Sequence, residues 1–375
     1  MVKAGLPQGH GNQRKLDNSI SERVLEMTRN KSRWINIGFQ FAAILLALLF
    51  TTIILLFSGA PPLQAYANII NGSIGSLKKF SDVLVAWVPL LLTTTGLLVT
   101  FTAGLWNIGI EGQITLGAIF TTGLLRLFQD SGLPPGLILV LAMLAGMLGG
   151  ALWASLAGAL KTFGGVNEIF GGLGLNFVAT ALTLWLIFGP WKRPGIGSMS
   201  GTEPFPNHLW LPMISGTRLS IWAVIIGIIA LAVIYIVLRG SYFGLRLKAV
   251  GKNIRSSFLI GIPTSRYMMS AFILCGALAG LAGAVQVTAV YHRLIPSISS
   301  GYGYLGLLVA MLINYKALLV IPVSLFFAAL NIGSIQLPII LKLDSTLSGV
   351  LQGALVLFFL MMDGVRQRVL RKAER

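Results

Sequence analysis

Apolar residues in this chain fall in long, nearly unbroken runs, and the polar residues are gathered into short intervals between them. Crossing a hydrocarbon layer takes about 20 apolar residues in a helix. By that measure spans lie near residues 35–57, 83–103, 113–128, 135–160, 169–189, 220–238, 267–290, 303–315, 317–335 and 347–362. The runs near 113–128 and 303–335 are short and interrupted by glycine or by Asn314, Tyr315 and Lys316, so they read as tilted or broken helices. The pattern predicts an all-α polytopic membrane protein with about ten transmembrane helices, or eight if the short pair is re-entrant. A tail at 1–33 precedes the membrane domain at 34–362, and a second tail follows at 363–375. The stretch Ser19–Lys31 is a weak interfacial-helix pattern, with a surface-lying or disordered tail as the alternative.

Charge sets the orientation. Lys and Arg cluster in the first tail (Lys3, Arg14, Lys15, Arg23, Arg29, Lys31, Arg33), in the segment 239–266 and in the last tail (Arg366, Arg368, Arg371, Lys372, Arg375). The middle segment holds Arg239, Arg246, Lys248, Lys252, Arg255 and Arg266 and no acid. The positive-inside rule makes all three cytoplasmic. Six spans separate the first cluster from the second and four the second from the third, both even numbers, as that orientation requires. The outer face then receives 58–82, 190–219 and 336–346. The second of these is rich in Pro, Gly and Trp, which suits a loop anchored at headgroups or a docking surface for an outer partner.

Composition narrows the class. The chain is 55% hydrophobic and 10% charged, against about 25% charged residues in a soluble domain. The formal net charge of +17 sits at the ends of apolar spans, so it matches headgroups and not nucleic acid. Cys275 lies inside an apolar run and can form no internal disulfide; His10, His208 and His292 have no metal-ligand spacing. No Ser/His/Asp grouping marks a catalytic centre. The near-match to a phosphate loop at Lys161-Thr162 fails because Leu160 stands where glycine is needed. No cofactor is expected on this chain, and any ATP that drives it must be hydrolysed by another.

Two acids sit beside membrane spans: Glu111, in Trp106-Asn107-Ile-Gly-Ile-Glu-Gly-Gln113, and Glu168, next to Asn167. Charge near hydrocarbon is costly and usually faces a bundle interior or a wet cavity. Asn176 lies about two turns beyond Glu168, near the same helix face. Asn107, Glu111, Gln113, Asn167, Glu168 and Asn176 are therefore candidates for a polar pathway wall; the alternative is that they only tie helices together. Buried ionisable groups, which ion-coupled carriers need, are absent from the spans near 35–57, 220–238 and 347–362. The four spans after the first helix and the four after the basic loop start from opposite sides, as inverted repeats do. Each set has a Gly-rich lead-in to its second helix, Asn107–Gln113 in one and Gly301-Tyr-Gly-Tyr-Leu-Gly306 in the other.

Within the basic segment, Arg255-Ser-Ser-Phe-Leu-Ile-Gly-Ile-Pro263 reads as a short helix closed by Gly261 and Pro263. Phe258, Leu259 and Ile260 form an apolar knob suited to a groove on a partner.

The run Phe243-Gly-Leu-Arg-Leu-Lys-Ala-Val-Gly-Lys-Asn253, then Ser256-Ser257 with Gly261, then Ser270 to Gly283, resembles the permease subunits of bacterial ABC importers. Within these the chain looks closest to the branched-chain amino acid, ribose and nucleoside permeases. The segment Asn107–Gln113 with Asn167, Glu168 and Asn176 looks most like the nucleoside branch. The resemblance covers roughly 85–330. It departs at Ser256 and Ser257, where the family usually has alanines, and at Gly301–Gly306 and Met311–Lys316. It implies ATPase subunits that grip Arg255, Ser256, Ser257, Phe258 and Gly261, and a second permease, identical or paralogous. It also implies an extracytoplasmic substrate-binding lipoprotein and a place in the prokaryotic plasma membrane. An autonomous secondary carrier or channel is the competing function, and simple sugars or branched-chain amino acids are the competing solutes.

Overall fold

A computed structural model describes residues 42, 45–195, 201–313, 316–342 and 347–373. The first tail, the start of the 35–57 span, and Asn314 and Tyr315 lie outside the described residues. Every regular element among the described residues is helical. In chain order they are α1 (Leu45–Phe57), α2 (Pro62–Ile74), α3 (Leu77–Thr102), α4 (Ile110–Phe128), α5 (Pro135–Thr162), α6 (Glu168–Phe188), α7 (Ile221–Gly240), α8 (Tyr242–Lys252), α9 (Ile254–Leu259), α10 (Thr264–Val285), α11 (Tyr302–Leu312), α12 (Val320–Ser334), α13 (Gln336–Leu341) and α14 (Leu347–Ala373).

The chain divides into two compact units, Met1–Pro62 with Gly349–Arg375, and Leu63–Ser348. In the first, the rings of Phe50 and Phe358 meet at 5.4 Å. The second holds the remaining architecture.

Six runs among the described residues are long and apolar enough to cross a membrane: α3, α5, α6, α7, α10 with its extension to Tyr291, and Ala317–Leu341. The hydropathy pattern proposes ten. The difference lies in the short or polar segments. α11 has 11 residues, roughly 16 Å of helix at 1.5 Å per residue, about half a bilayer core. α4 carries Glu111, Gln113 and Arg126. α1 and α2 reach spanning length only when taken together as one broken span.

Packing in the larger unit follows from small residues. Gly146 and Gly150 of α5 face Gly276 and Gly280 of α10 so closely that an added Cβ would strike backbone. Apolar side chains gain nothing by leaving lipid, so close backbone approach is what holds such helices together. α3 is the most enclosed span, while α6 and α7 turn Phe170, Phe177, Trp185, Ile228 and Ile229 outward. Pro89 interrupts the α3 ladder, and Thr93 Oγ1 bonds back to the Pro89 and Leu90 carbonyls at 3.0 Å.

The two helix sets pack reciprocally. α3 packs on α10, α11 and α12, and α10 packs on α3, α4 and α5. The first helix of each set thus touches the first, second and third of the other, the contact pattern of a two-fold repeat.

One stretch departs from α-helix inside a span that the sequence pattern reads as continuous, and one links two spans. α10 runs on through a π-helical turn, Gln286–Tyr291, ending in left-handed His292 at φ 56°. The segment 103–109 separates α3 from α4, with Gly104 at φ 73°.

Candidate functional site

The break between α3 and α4 is closed by one face of α6. Glu168, Gly172 and Asn176 lie four residues apart and stack along that face. The Glu168 carboxylate meets the Trp106 N–H. Gly172 lies against Gly109, whose added Cβ would stand 3.1 Å from the Gly172 Cα. Asn176 Oδ1 accepts the Gly112 N–H at 2.8 Å, and its Nδ2 donates to the Ile108 carbonyl at 2.9 Å. One amide thereby satisfies a donor in the first turn of α4 and an acceptor in the break.

Glu111 occupies the first turn of α4 and is only 6% exposed. Its Oε1 accepts the Tyr304 N–H at 3.0 Å, and the Ser299 hydroxyl and Gly303 N–H also reach the carboxylate. Gly303 and Tyr304 lie in the first turn of α11, so Glu111 caps that helix from another part of the chain while sitting at the start of its own. Two helix N-termini, each with orphan N–H groups and a positive dipole end, converge on one carboxylate. Glycine at 303 is required: a Cβ there would lie 3.0 Å from Glu111 Cδ. The Tyr302 carbonyl, one residue earlier, accepts from Thr93 Oγ1 at 3.2 Å.

Asn107 and Gln113 pair amide to amide, with both bonds 2.9 Å long. Asn107 Nδ2 also lies 3.1 Å from Cys275 Sγ. Both amides are enclosed, so in this conformation they tie the break to α4 and α10. Asn167 stands apart: it is exposed and caps α6, its Oδ1 accepting the Ile169 N–H at 2.9 Å. Glu168 pairs with Lys161 across the α5–α6 turn. The structure therefore gathers Asn107, Glu111, Gln113, Glu168 and Asn176 around one break, and leaves Asn167 at its rim.

The basic segment folds into α8 and α9. Ser241 caps α8 by accepting the Gly244 N–H at 3.1 Å, and Asn253 caps α9 by accepting the Ser256 N–H at 2.9 Å. Gly261 takes φ 84° just past α9, a left-handed stop open to glycine. Arg255, Ser256 and Phe258 are exposed, and Phe258, Leu259 and Ile260 form the expected apolar knob. Ser257 faces inward at 3% exposure. Beneath it, α8 ends against the α3–α4 break. A Cβ on Gly251 would strike the Thr102 carbonyl, and one on Gly104 would stand 3.0 Å from the Gly251 carbonyl oxygen.

Sequence reading passed over Thr93, Ser299 and Tyr304. The run Thr93-Thr94-Thr95, fully buried in α3, is the signal that marked the first of these, because three consecutive hydroxyls in an apolar span need partners. The other two are recognisable only once α11 is seen to start at Glu111. Among the described residues no three His, Cys, Asp or Glu side chains cluster as a metal site would.

An all-helical bundle with broken membrane helices, buried amides at the breaks and a capped basic hairpin on one face defines a multi-pass membrane permease. The sequence model of the branched-chain amino acid transport system / permease component family matches residues 80–360, and the chain belongs to that family. It is 28% identical over 349 residues to the glucose ABC transporter permease protein TsgB13 of Haloferax volcanii, covering 90% of this chain and 91% of that one. It is 28% identical to the nucleoside ABC transporter permease protein NupB of Lactococcus lactis, over 82% of this chain and 84% of that one. To the guanosine ABC transporter permease protein NupP of Bacillus subtilis it is 25% identical, over 84% and 90%.

Proposed function

We propose that this chain is the membrane-spanning subunit of an ATP-driven importer for nucleosides or similar small polar solutes, with simple sugars the second solute class. Relatives named for nucleosides, guanosine and glucose support that range. In this reading it lies in a prokaryotic plasma membrane with about ten crossings. The tails 1–33 and 363–375 and the segment 239–266 face the cytoplasm. A second permease, identical or paralogous, and an extracytoplasmic binding lipoprotein complete the importer, and ATP is hydrolysed by a partner subunit.

The contact between Gly251 and Gly104 carries the mechanism. An ATPase that closes on α9 moves α8, and α8 bears directly on the break that leads to Asn107 and Glu111. Two backbones in van der Waals contact transmit displacement with little slack. The Glu111 cap on α11 then becomes the element that the push rearranges, with Asn107, Gln113, Glu168 and Asn176 as its surroundings and Asn167 at the edge.

The test is import into membrane vesicles carrying the chain with its ATPase, sister permease and binding protein. Uridine uptake should require ATP on the cytoplasmic side. Phe258→Asp should insert normally, lose the ATPase on purification and abolish uptake. Gradient-driven flux by this chain alone would instead identify a secondary carrier.

A further inference from the structure

A cavity of about 400 Å³ lies among α2, the start of α3, the π-helical turn, Tyr302 and the α12–α13 junction. Lys79, Asp82, Arg218, Gln286, Asn331 and Gln336 bring polar groups to its wall. These residues come from all three segments, 58–82, 190–219 and 336–346, that the charge pattern assigns to the outer face, or from helices adjoining them. The floor is Tyr302, two residues before the N–H that Glu111 caps.

We infer that this cavity is the outer solute site of the permease, and that its ligand is a neutral hydroxylated ring, the ribose of a nucleoside or a free hexose. The inference rests on the import function proposed above. Among the described residues the side chains of Asp82, Asn331 and Gln336 make no hydrogen bond or ion pair to the protein, although each is half-buried. Half-buried polar groups that converge without partners are what a polar ligand or its water satisfies. Gln286 is held in place: its Nε2 donates to the Ile298 carbonyl at 3.2 Å and lies 3.4 Å from Ser300 Oγ. The π-helical turn that carries it widens the helix at the cavity wall, and such turns recur at functional sites. Irregular backbone at a membrane span is tolerated where it lines a wet cavity.

The groups select the chemistry. Each amide offers two donors and one acceptor oxygen, and a carboxylate only accepts, a set that matches neighbouring hydroxyls. Charges of both signs line the wall, Asp82 together with Lys79 and Arg218, and the Lys79 ammonium is engaged by the Asn71 carbonyl at 3.0 Å. The volume lies in the range of small-molecule sites, roughly 300–1,000 Å³.

The experiment is thiol labelling and uptake with the complete importer in intact cells. Cys275 is buried, so the native chain offers no accessible thiol among the described residues. N331C should react with a membrane-impermeant maleimide added outside, and saturating uridine or glucose should slow that reaction several-fold. Gln336→Leu and Asn331→Leu should raise the half-saturating concentration for uptake on the order of tenfold, the loss of about one hydrogen bond. Protection by uridine but not glucose assigns the ring to ribose, and the reverse assigns it to hexose. Import by the wild type, with N331C unprotected and both leucine variants unchanged, overturns the cavity site and leaves the importer standing. A wild-type complex that imports neither solute overturns the importer's solute class and the ligand inferred here with it.

Discussion

Glu111 and Tyr304 stand 193 residues apart in the chain, and the carboxylate of the first accepts the backbone N–H of the second at 3.0 Å. This joins the two glycine-rich lead-ins, Asn107–Gln113 and Gly301–Gly306, that stand at corresponding places in the two helix sets. Each is the start of a helix, and each needs an acceptor for its first N–H groups. The Glu111 carboxylate serves α11, and Asn176 serves the Gly112 N–H of α4.

Replacing that carboxylate measures the joint. Glu111→Ala orphans the α11 donors and should lower stability by about 1–3 kcal/mol. Glu111→Gln keeps an acceptor oxygen and should cost less than half as much. Thermal unfolding of the purified protein in detergent reads both, and an alanine variant that melts with the wild type would show the cap to be idle.

The Asn107–Gln113 pair calls for a double-mutant cycle. Asn107→Leu and Gln113→Leu each strand a buried amide and should cost about 0.5–2 kcal/mol. Once one partner is gone the other has little left to lose, so the double variant should fall well short of the sum. Additive losses of stability would mean that the two amides act separately.

Gly251→Ala probes the joint between α8 and the break. The added methyl has no room beside Thr102, so α8 must shift, at a typical overpacking cost of about 1–3 kcal/mol. The expected signature is ATP hydrolysis that no longer drives uptake. Gly240→Ala is the control, since nothing lies within 4 Å of a Cβ built there. Equal uptake in the two variants would remove the joint from the mechanism.

His292 predicts a pH effect. Its ring stacks on Trp210 at 3.7 Å, and the Phe205 N–H donates to its backbone carbonyl at 2.9 Å. Burial lowers the imidazole to about 4; a hydrogen bond to the Thr288 backbone opposes this, and the nearby Arg218 charge adds to it. With the packed value below the ordinary 6.5, the released ring binds its proton first as pH falls. Stability should therefore be full above about 6.5 and decline from there towards 4. Melting curves at pH 7.5 and 5.0 check this, with His292→Asn flattening the difference. Asparagine tolerates the left-handed backbone at this position. An unaltered pH dependence in that variant would assign the effect elsewhere.

The polar face of α6 is legible in the sequence: Glu168 and Asn176 are spaced to share it, and in the fold both meet the 106–112 segment. The α9 knob is equally plain, because Gly261 and Pro263 close it along the chain. The cavity is not. Lys79, Asp82, Gln286 and Asn331 each read as an ordinary polar residue near the end of a span, and no spacing links them. The π-helical turn is also hidden, since Gln286–Tyr291 has the same apolar character as the α10 residues that precede it. A change from four-residue to five-residue hydrogen bonding leaves no periodic mark in six residues.

The sequence alone determined that the chain is a membrane protein, where its longest apolar helices fall, and which segment is basic, because these depend on local hydropathy and charge. Only the tertiary structure decided which helix ends meet. Glu111 finds Tyr304, Gly251 finds Gly104, and the segments 58–82, 190–219 and 336–346 converge on one cavity through contacts between residues far apart in the chain. Such contacts are fixed by how glycine-lined helices fit against one another, and a one-dimensional pattern does not encode that fit in any single stretch.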